Sequence, residues 1–460
     1  MRFFYSLLII CTVFSCKSEQ PQDLSVEVVT YTPEQLTYPK GDLQIDHSMQ
    51  HDFENNFFLP WQSNTKELLD SLTQFAGKDT SYLEQYLNDD AWYGENKKPH
   101  SKAQRLAIVD NANVDAFPNF LKHGIVIAHT DLRRIPTIKP GFDKYSKAGE
   151  GYPFDYFQET NLWANTPVLM VHTSKDKQWC YVVSPYYKGW VAMRDMAIVD
   201  NTFKKQWQNG QYCHPTSDVL NLSHEVSNYA INAKIGMLLP YQEINDIPNE
   251  VAVFYAVSDE NQRAKILTTK VAKSDVAFSN YEFNENNLKE LVSNLLGKPY
   301  GWGGYLENRD CSSMIRDLLG TFNIWLPRDS KDQMAIGHHF DFPKTANEKI
   351  KLIKEHGIPF LTILRKPGHN MLYVGNNEQG EPLILHAIWG LKTSYTNAQL
   401  ATYLNTYPIE GIHQEEDGTL KGRQVIGEVV ITTVNAGANS HHTPALVDIM
   451  YAMTNILEDN

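Results

Sequence analysis

The clearest periodic pattern in the 460-residue chain lies between residues 288 and 322. Apolar side chains recur there at helical spacing in two groups, from Leu288 to Leu296 and from Met314 to Phe322. Residues three and four apart share one face of a helix, so each group predicts a helix with one buried side. Asp310 stands where an N-cap residue is expected, and the second helix should therefore begin at residue 311.

Residues 368–389 predict a β-hairpin, because their polar and apolar positions alternate on both sides of a polar, glycine-containing turn. A turn centred between Asn377 and Glu378 would pair residues whose numbers sum to 755. His369 and His386 would then be direct cross-strand neighbours. Further strands are predicted at residues 359–366 and 424–434, which gives an antiparallel sheet with the helix packed on it. This α+β arrangement is typical of a papain-like half domain.

Residues 111–200 show a different pattern, with short β runs broken by Pro, Gly and Lys-Asp turns. This pattern predicts a small β-barrel. Residues 201–280 repeat the pattern less clearly, and we interpret them as a second barrel. After the α+β region, residues 445–457 predict a terminal helix.

Cys311 is the candidate nucleophile. A thiol in the first turn of a helix is expected to have a lowered pKa, and backbone N–H groups there can hold an oxyanion. Gly303 and Gly304 would let the main chain come close to the cysteine. A lone Cys at a helix start is more often a packing residue, so a matched base is needed. His369 can serve as that base and His386 can orient it, although two core histidines are the structural alternative.

The first 16 residues combine one basic residue with a short apolar run, which is typical of an export signal. Ser15 followed by Cys16 resembles a bacterial lipoprotein cleavage site, so we expect Cys16 to be lipidated. The polar residues that follow would form a flexible tether, and the lipid would hold an exported protein in the cell envelope.

The formal net charge of −13 argues against nucleic acid as a partner. Of the five cysteines, Cys180 and Cys213 could pair with each other or remain isolated buried thiols. The sequence shows no metal-ligand spacing, and we expect no metal and no cofactor.

Five sequence blocks, PYGWGG, DCSS, LPRDSKDQ, GHNMLYVG and LILHA, follow one another between residues 299 and 387. In this order they resemble the NlpC family of bacterial cell-wall cysteine endopeptidases. The resemblance implies that Cys311 is the nucleophile, His369 the base and His386 the orienting residue. One departure is Ser313, which stands where the family often has Gly. The run YYKGWVAMRDMAIV, residues 186–199, resembles bacterial SH3-like domains.

The resemblance also implies a substrate. Relatives with paired SH3-like barrels cut the bond between γ-D-glutamate and the diamino acid of peptidoglycan stem peptides, and they prefer a free L-Ala end. Asp310 would meet the ammonium group of that end. The residues expected to bind substrate are Tyr300, Trp302, Asp310, Ser312, Arg328, Asp329 and Ser330. We expect a monomer that meets stem peptides or muropeptides and is held at the membrane by its lipid anchor.

Three alternative functions remain at this point. The chain could be an N-acetylmuramoyl-L-alanine amidase, a D,D-endopeptidase or a non-catalytic wall-binding lipoprotein. The predicted organisation is a signal peptide at 1–16, a tether at 17–42, a stabilising segment at 43–110 that resembles the one in multi-domain family members, SH3-like barrels at 111–200 and 201–280, a peptidase domain at 281–440 and a C-terminal helix at 441–460.

Overall fold

The computed structural model describes residues 28–39, 47–62, 81–89, 92–143, 150–224, 227–395, 409–414, 420–438 and 443–457. The expected signal peptide and Cys16 lie outside these ranges. Within them, no helix combines the length and the apolar character needed to cross a membrane.

The helices are α1 (His47–Phe57), α2 (Leu59–Gln62), α3 (81–88), α4 (Lys102–Asn111), α5 (Asn201–Trp207), α6 (Glu285–Leu295), α7 (Cys311–Gly320), α8 (Ser330–Gln333), α9 (Ala346–His356) and α10 (Leu446–Ile449). The strands of the first half are β1 (Lys122–Val126), β2 (Thr130–Arg133), β3 (Gln158–Leu162), β4 (Pro167–Thr173), β5 (Trp179–Val183), β6 (Lys188–Ala192), β7 (Met196–Ile198), β8 (Tyr212–Pro215), β9 (Leu220–His224), β10 (Ser227–Ala233), β11 (Leu239–Glu243), β12 (Glu250–Ser258), β13 (Ala264–Ala272) and β14 (Val276–Phe278). Those of the second half are β15 (His338–Asp341), β16 (Thr362–Lys366), β17 (His369–Asn376), β18 (Pro382–Tyr395), β19 (Ile409–Gln414), β20 (Leu420–Thr433) and β21 (Ala452–Asn455).

Three antiparallel sheets follow one another along the chain, and the fold is α+β. The first has the strand order β3-β2-β6-β5-β4-β1-β7, and the second has the order β13-β12-β11-β8-β14 beside a β9–β10 hairpin. The third has the order β15-β21-β16-β17-β18-β20-β19 and packs against α6 and α7 in one core. Cys180 and Cys213 are free and lie in separate buried clusters of the first two sheets, so they do not pair with each other.

The prediction of a flexible tether at residues 17–42 is wrong for residues 28–39. This segment runs along the third sheet, where the backbone N–H of Tyr31 donates to the carbonyl of Ile431 at 2.9 Å. Leu36 and Tyr38 are buried in the core of that sheet, and Tyr38 stacks on Phe360. Burial of these two side chains outweighs the polar, extended character of the local sequence. The segment is therefore part of the α+β unit.

The predicted helix at residues 445–457 is also wrong. Only Leu446–Ile449 is helical, and Ala452–Asn455 forms β21, which pairs with β15 on one side and β16 on the other. The apolar spacing there resembles a helix, but a strand in this position satisfies the backbone groups of two neighbouring strands. Tertiary pairing has overridden the local pattern.

Arg309 lies just before α7 and connects the units that contain the three sheets. Its Nε donates to Asp317 at 2.8 Å, and its two Nη atoms donate to Asp218 at 2.6 and 2.8 Å. Trp163, from the first sheet, donates its indole N–H to the same Asp317 carboxylate at 3.0 Å. The Arg309 and Asp317 side chains are almost fully buried. Asp317 of α7 is thus bonded directly to the first unit and linked to the second through Arg309.

Candidate active site

Cys311 opens α7 behind a capping box. Asp310 Oδ1 accepts the backbone N–H of Ser313 at 3.0 Å, and the Ser313 hydroxyl oxygen accepts the backbone N–H of Asp310 at 3.0 Å. The cap satisfies donors that a helix start leaves open. Cys311 is only 8% exposed, and the rest of the helix is buried. The candidate nucleophile therefore sits at a rigid, nearly closed position.

The thiol contacts the strand that carries the first histidine. The backbone amide of Asn370, the residue after His369 on β17, acts on the Cys311 thiol and favours a lower pKa. The Asn370 side chain also donates to the Ser330 carbonyl at 2.9 Å and to Gln333 Oε1 at 3.0 Å. Gln333 in turn donates to the Ser312 carbonyl at 2.9 Å. These contacts hold α7, α8 and β17 together around the sulfur, and the sequence analysis did not single out Asn370 or Gln333.

His369 and His386 meet as expected, but in a different register. Leu372 pairs with Leu385 and Tyr373 with Ile384, so the paired numbers sum to 757 and not to 755. The two histidines are therefore diagonal neighbours on one face of the sheet, which long side chains can still bridge. His369 Nε2 lies 3.0 Å from His386 Nδ1.

Thr432, which was not among the residues predicted from the sequence, extends this pair. Its Oγ1 lies 3.2 Å from His386 Nε2 and donates to the Thr433 carbonyl at 3.1 Å. With the hydroxyl proton on Thr433, Oγ1 is placed to accept from His386 Nε2–H. In that tautomer His386 Nδ1 accepts from His369 Nε2–H, and His369 Nδ1 is the unprotonated base. The only sequence signal was a polar pair at the end of an apolar strand.

The pKa of the Cys311 thiol is raised, whereas its position in the sequence predicted a lowered pKa. Burial, helped by the nearby Asp310 carboxylate, raises the pKa of Cys311 to about 11. Burial also holds the pKa of His369 well below its ordinary value and lowers the pKa of His386 to about 3. Desolvation thus exceeds the effect of the helix N-terminus. At neutral pH the site holds a neutral thiol beside neutral imidazoles.

The pH dependence of Cys311 alkylation tests whether the pKa of this thiol is raised. A thiol with a pKa of about 11 is protonated at neutral pH and becomes reactive only as the pH rises through that value. We expect the rate of Cys311 modification by iodoacetamide to rise about tenfold per pH unit between pH 7 and 10, after subtraction of the rate for Cys311→Ala, which retains Cys180 and Cys213. A plateau in the rate between pH 6 and 8 would instead indicate a thiolate–imidazolium pair.

Asp310 forms a buried ion pair with Arg328. Arg328 Nη2 donates to Asp310 Oδ2 at 2.6 Å, its Nη1 donates to Ser312 Oγ at 2.8 Å, and its Nε donates to Thr160 Oγ1 at 2.7 Å. Burial opposes ionisation, but Arg328 and the hydrogen bonds from Ser313 hold the pKa of Asp310 below its ordinary value. Arg328 thus links two predicted substrate-binding residues to the first sheet.

The remaining predicted substrate residues are Tyr300, Trp302, Asp329 and Ser330. Tyr300 is half-buried, Asp329 is exposed, and Ser330 is half-buried at the start of α8. Trp302 packs on the segment before β3: its indole N–H donates to the Asp155 carbonyl at 3.0 Å, and its ring lies edge-on to Phe154. Its contacts therefore join the loop to the first sheet.

The two glycines after Trp302 also lie against the first sheet. The sequence had instead predicted that they let the main chain approach the cysteine. Gly303 and Gly304 have φ angles of +59° and +84°, which favour glycine. A Cβ on Gly303 would lie 2.7 Å from Gln158 Cγ, and one on Gly304 would lie 2.6 Å from Asn161 Cβ. The loop thus needs glycine to dock the first sheet beside the site. Among the described residues, no three His, Cys, Asp or Glu side chains are grouped as metal ligands.

Three protein-family models match parts of the chain. Residues 4–117 match the N-terminal NLPC_P60 stabilising domain, residues 140–192 match an SH3 domain of the SH3b1 type, and residues 297–403 match the NlpC/P60 family. The chain gives no match among curated proteins.

The solved structures that are similar to this chain include two bacterial NlpC/P60 proteins. An NlpC/P60 endopeptidase from Photobacterium damselae subsp. piscicida is 23% identical with a TM-score of 0.78, and the match covers 95% of this chain and 98% of that one. An NlpC/P60 family protein from Bacillus cereus is 17% identical with a TM-score of 0.42, over 65% of this chain and 82% of that one. The first shows that the whole multi-domain fold is shared.

Proposed function

Because the chain belongs to the NlpC/P60 family of cysteine peptidases, we propose that it hydrolyses the γ-D-glutamyl-diamino acid bond of peptidoglycan stem peptides. The observation that carries the proposal is the thiol of Cys311 at a capped helix start, against a strand whose His369 is aligned by His386 and Thr432. This set provides a nucleophile, a base and an oriented tautomer, which amide hydrolysis through a thioester requires.

In the proposed mechanism each step has its own atom. His369 Nδ1 takes the proton from Cys311 as the sulfur attacks the scissile carbonyl. The backbone N–H of Cys311 donates to the developing oxyanion. His369 then protonates the leaving amine, and water hydrolyses the thioester with His369 again as the base. Since thiol and imidazole both start neutral, proton transfer accompanies attack and does not precede it.

In the proposal, substrate selection depends on the side of the substrate groove that Arg328 forms together with the first SH3 domain. In the proposal, Tyr300, Asp310, Ser312 and Ser330 line the pocket for a free L-Ala end, and Asp329 borders it. Because Asp310 is already paired with Arg328, we propose that the ligand ammonium and Arg328 share the Asp310 carboxylate. Trp302 contributes by holding the docked loop.

We also propose that the second sheet is SH3-like. In the first sheet, β6 ends at Ala192, a 3₁₀ turn covers Met193–Asp195, and β7 follows. In the second, β13 ends at Ala272, a 3₁₀ turn covers Lys273–Asp275, and β14 follows. The same strand, turn and strand close both units, which supports paired barrels at residues 111–200 and 201–280.

Export and lipidation at Cys16 complete the proposal, with the protein acting as a monomer at the cell envelope. The basic and apolar start of the chain and the Ser15–Cys16 step support this placement. Metabolic labelling with a palmitate analogue should mark the wild-type protein and not Cys16→Ala.

Thr432 gives a prediction about the base. Thr432→Val removes the acceptor for His386 Nε2–H, so the preferred tautomer of His369 is lost and kcat should fall about ten- to a hundredfold, less than for loss of a charged orienting group. Thr432→Ser should restore most of the rate because it keeps the hydroxyl. The matched control is Thr433→Val, on the opposite face of the strand. Equal rates for Thr432→Val and Thr433→Val would contradict the role.

The preference for a free amino end has its own test. We expect the tripeptide L-Ala-γ-D-Glu-diaminopimelate to be cleaved with at least about tenfold higher kcat/KM than its N-acetylated form, since acetylation removes the ammonium that Asp310 would bind. Equal cleavage of both peptides would refute the preference. Cleavage of intact sacculi alone would favour an amidase or D,D-endopeptidase, and no cleavage of either would favour a wall-binding protein.

A further inference from the structure

A cavity on the first sheet lies outside the site described above, and the mechanism does not use it. It has a volume of about 250 Å³ and lies between strands β2 and β3 and the loop that precedes α7. Cys311, His369 and Arg328 do not line it. We call it the β2–β3 cavity, and its lining includes Asp131, Ile138, Asn161, Asp195, Tyr305 and Leu306.

Asp131 presents a carboxylate oxygen that the described residues leave open. Asp131 on β2 is paired across the strands with Asn161 on β3, whose Nδ2 donates to Asp131 Oδ1 at 3.4 Å. Gln158 Nε2 donates to the same oxygen at 2.8 Å. In the part of the chain that the structure describes, no side chain donates a hydrogen bond to Asp131 Oδ2 or forms an ion pair with this carboxylate.

Arg133 lies two residues further along β2, but it is bonded to other groups. Its Nη1 donates to Asp155 Oδ2 at 2.5 Å and to Gln158 Oε1 at 2.9 Å, and its other nitrogens donate to two backbone carbonyls at 3.0 Å. Burial raises the pKa of Asp131 in spite of the Arg133 charge. A buried carboxylate in this state is stabilised by a cation that donates hydrogen bonds to it directly.

Asn161 provides a second open acceptor beside Asp131. Asn161 is only 6% exposed, and its buried Oδ1 has no hydrogen-bond partner among the residues that the structure describes. Because Nδ2 donates to Asp131, the oxygen of the amide is the atom left to accept. Buried polar atoms in proteins are rarely left unpaired. A ligand with several donors would therefore satisfy both open acceptors.

The other two acids of the cavity have basic neighbours. Asp195 accepts the hydroxyl of Thr130 at 2.7 Å and lies 3.6 Å from Arg194 Nε. Glu307 lies 2.9 Å from the Nζ of Lys234. Of the described acids that line the cavity, only Asp131 therefore lacks an ion pair.

Apolar side chains surround these acceptors. Ile138 is 79% exposed, Leu306 is 71% exposed and Tyr305 is about half exposed. The loop that carries the last two is held on β3, where Gln158 Nε2 donates to the Gly303 carbonyl at 3.1 Å. Large apolar side chains that are grouped and exposed in this way mark a binding site. The ligand should thus combine an apolar part with a charged donor.

We propose that the β2–β3 cavity binds a primary ammonium group at the end of an aliphatic side chain, as in lysine or another diamino acid. A compact ammonium carries three donors, which pair with Asp131 Oδ2 and Asn161 Oδ1. Its aliphatic stem packs on Ile138, Tyr305 and Leu306. This inference goes beyond the proposed function and does not depend on it, because the reacting groups do not line the cavity.

Calorimetric titration with Nα-acetyl-L-lysine methylamide tests this site. The probe carries the ammonium and the stem but no γ-D-glutamyl bond, so its binding is independent of peptidase activity. We expect saturable binding by the wild-type protein and at least about tenfold weaker binding of the Nε-acetylated probe, which has lost its charge. Asp131→Asn keeps the shape of the side chain and should weaken binding of the first probe about ten- to a hundredfold.

Free L-lysine distinguishes the two sources of such a group, because it carries the α-charges that the blocked probe lacks. A peptide side chain is the ligand if the blocked probe binds at least as tightly as free lysine. A free diamino acid is the ligand if free lysine binds more tightly.

Two further variants separate binding from folding. Tyr305→Ala shortens an exposed side chain and should weaken binding about two- to fivefold with an unchanged Tm. Asp341→Asn removes a 92% exposed charge on β15 and should bind the probe as the wild type does. Absence of binding by the wild type, equal binding of the acetylated probe or wild-type affinity in Asp131→Asn would overturn the proposal.

Discussion

We expect Cys311→Ala to lower kcat for stem-peptide hydrolysis by at least about ten-thousand-fold, because the variant keeps the base and the oxyanion donor but loses the atom that forms the thioester. The fold should persist, since the change removes one sulfur atom at a helix start whose cap is made by Asp310 and Ser313. Circular dichroism and a Tm within a few degrees of the wild type would show this.

The matched control for that variant is Cys180→Ala. Cys180 is also a free, fully buried thiol, but it lies in the core of the first sheet. We expect its rate to stay within about twofold of the wild type. Hydrolysis by folded Cys311→Ala at a rate near that of Cys180→Ala would contradict the assignment of the nucleophile.

The second large effect concerns stability. Arg309→Met removes the guanidinium between the Asp317 and Asp218 carboxylates. Asp317 keeps its pair with Arg316, but Asp218 loses both hydrogen bonds from Arg309, and loss of one partner from a buried ion pair costs about 3–5 kcal/mol. We expect Tm to fall by about 5–10 °C. Asp317 lies on α7, so the loss should also loosen the contact between the peptidase unit and the two preceding sheets.

Lys175→Met is the matched control for this loss of charge. Lys175 pairs with Asp110 at 2.5 Å, but both side chains are more than half exposed, and such pairs contribute at most about 1 kcal/mol. Tm should therefore change by less than about 2 °C. Equal shifts in the two variants, measured by differential scanning calorimetry, would refute the view that the Arg309 cluster holds the units together.

Local patterns predicted the elements that carry the candidate site. The alternation around the hairpin indicated β17 and β18, and Asp310 before an apolar stripe indicated the start of α7. Helix caps and strand alternation depend on residues a few positions apart, so one sequence contains the information. His369 and His386 could be placed together for the same reason.

The register of that hairpin could not be predicted, because the turn is centred one residue further along the chain than expected. The Asn377 side chain accepts the backbone N–H of Glu381 at 2.8 Å, and the strand pairing shifts between Tyr373 and Asn376. Gly375 lies in that shifted stretch with a φ of +98° and packs against Thr37 of the N-terminal segment. A contact with a residue more than three hundred positions away in the chain thus accompanies the shift.

Other features depend on tertiary burial that no local pattern reports. The raised pKa of Cys311 follows from its enclosure by α8 and β17, and the role of Thr432 follows from the pairing of β20 with β18. The packing of residues 28–39 depends on a sheet formed by the far end of the chain. Each needs the assembled fold before its physical cause exists.

Mass spectrometry of the products from L-Ala-γ-D-Glu-diaminopimelate tests the central claim most directly, with a soluble form that lacks residues 1–16 and with Cys311→Ala in parallel. The account predicts release of L-Ala-γ-D-Glu and free diaminopimelate by the wild type and intact tripeptide with the variant. Release of free L-Ala, or the same products from Cys311→Ala, would contradict it.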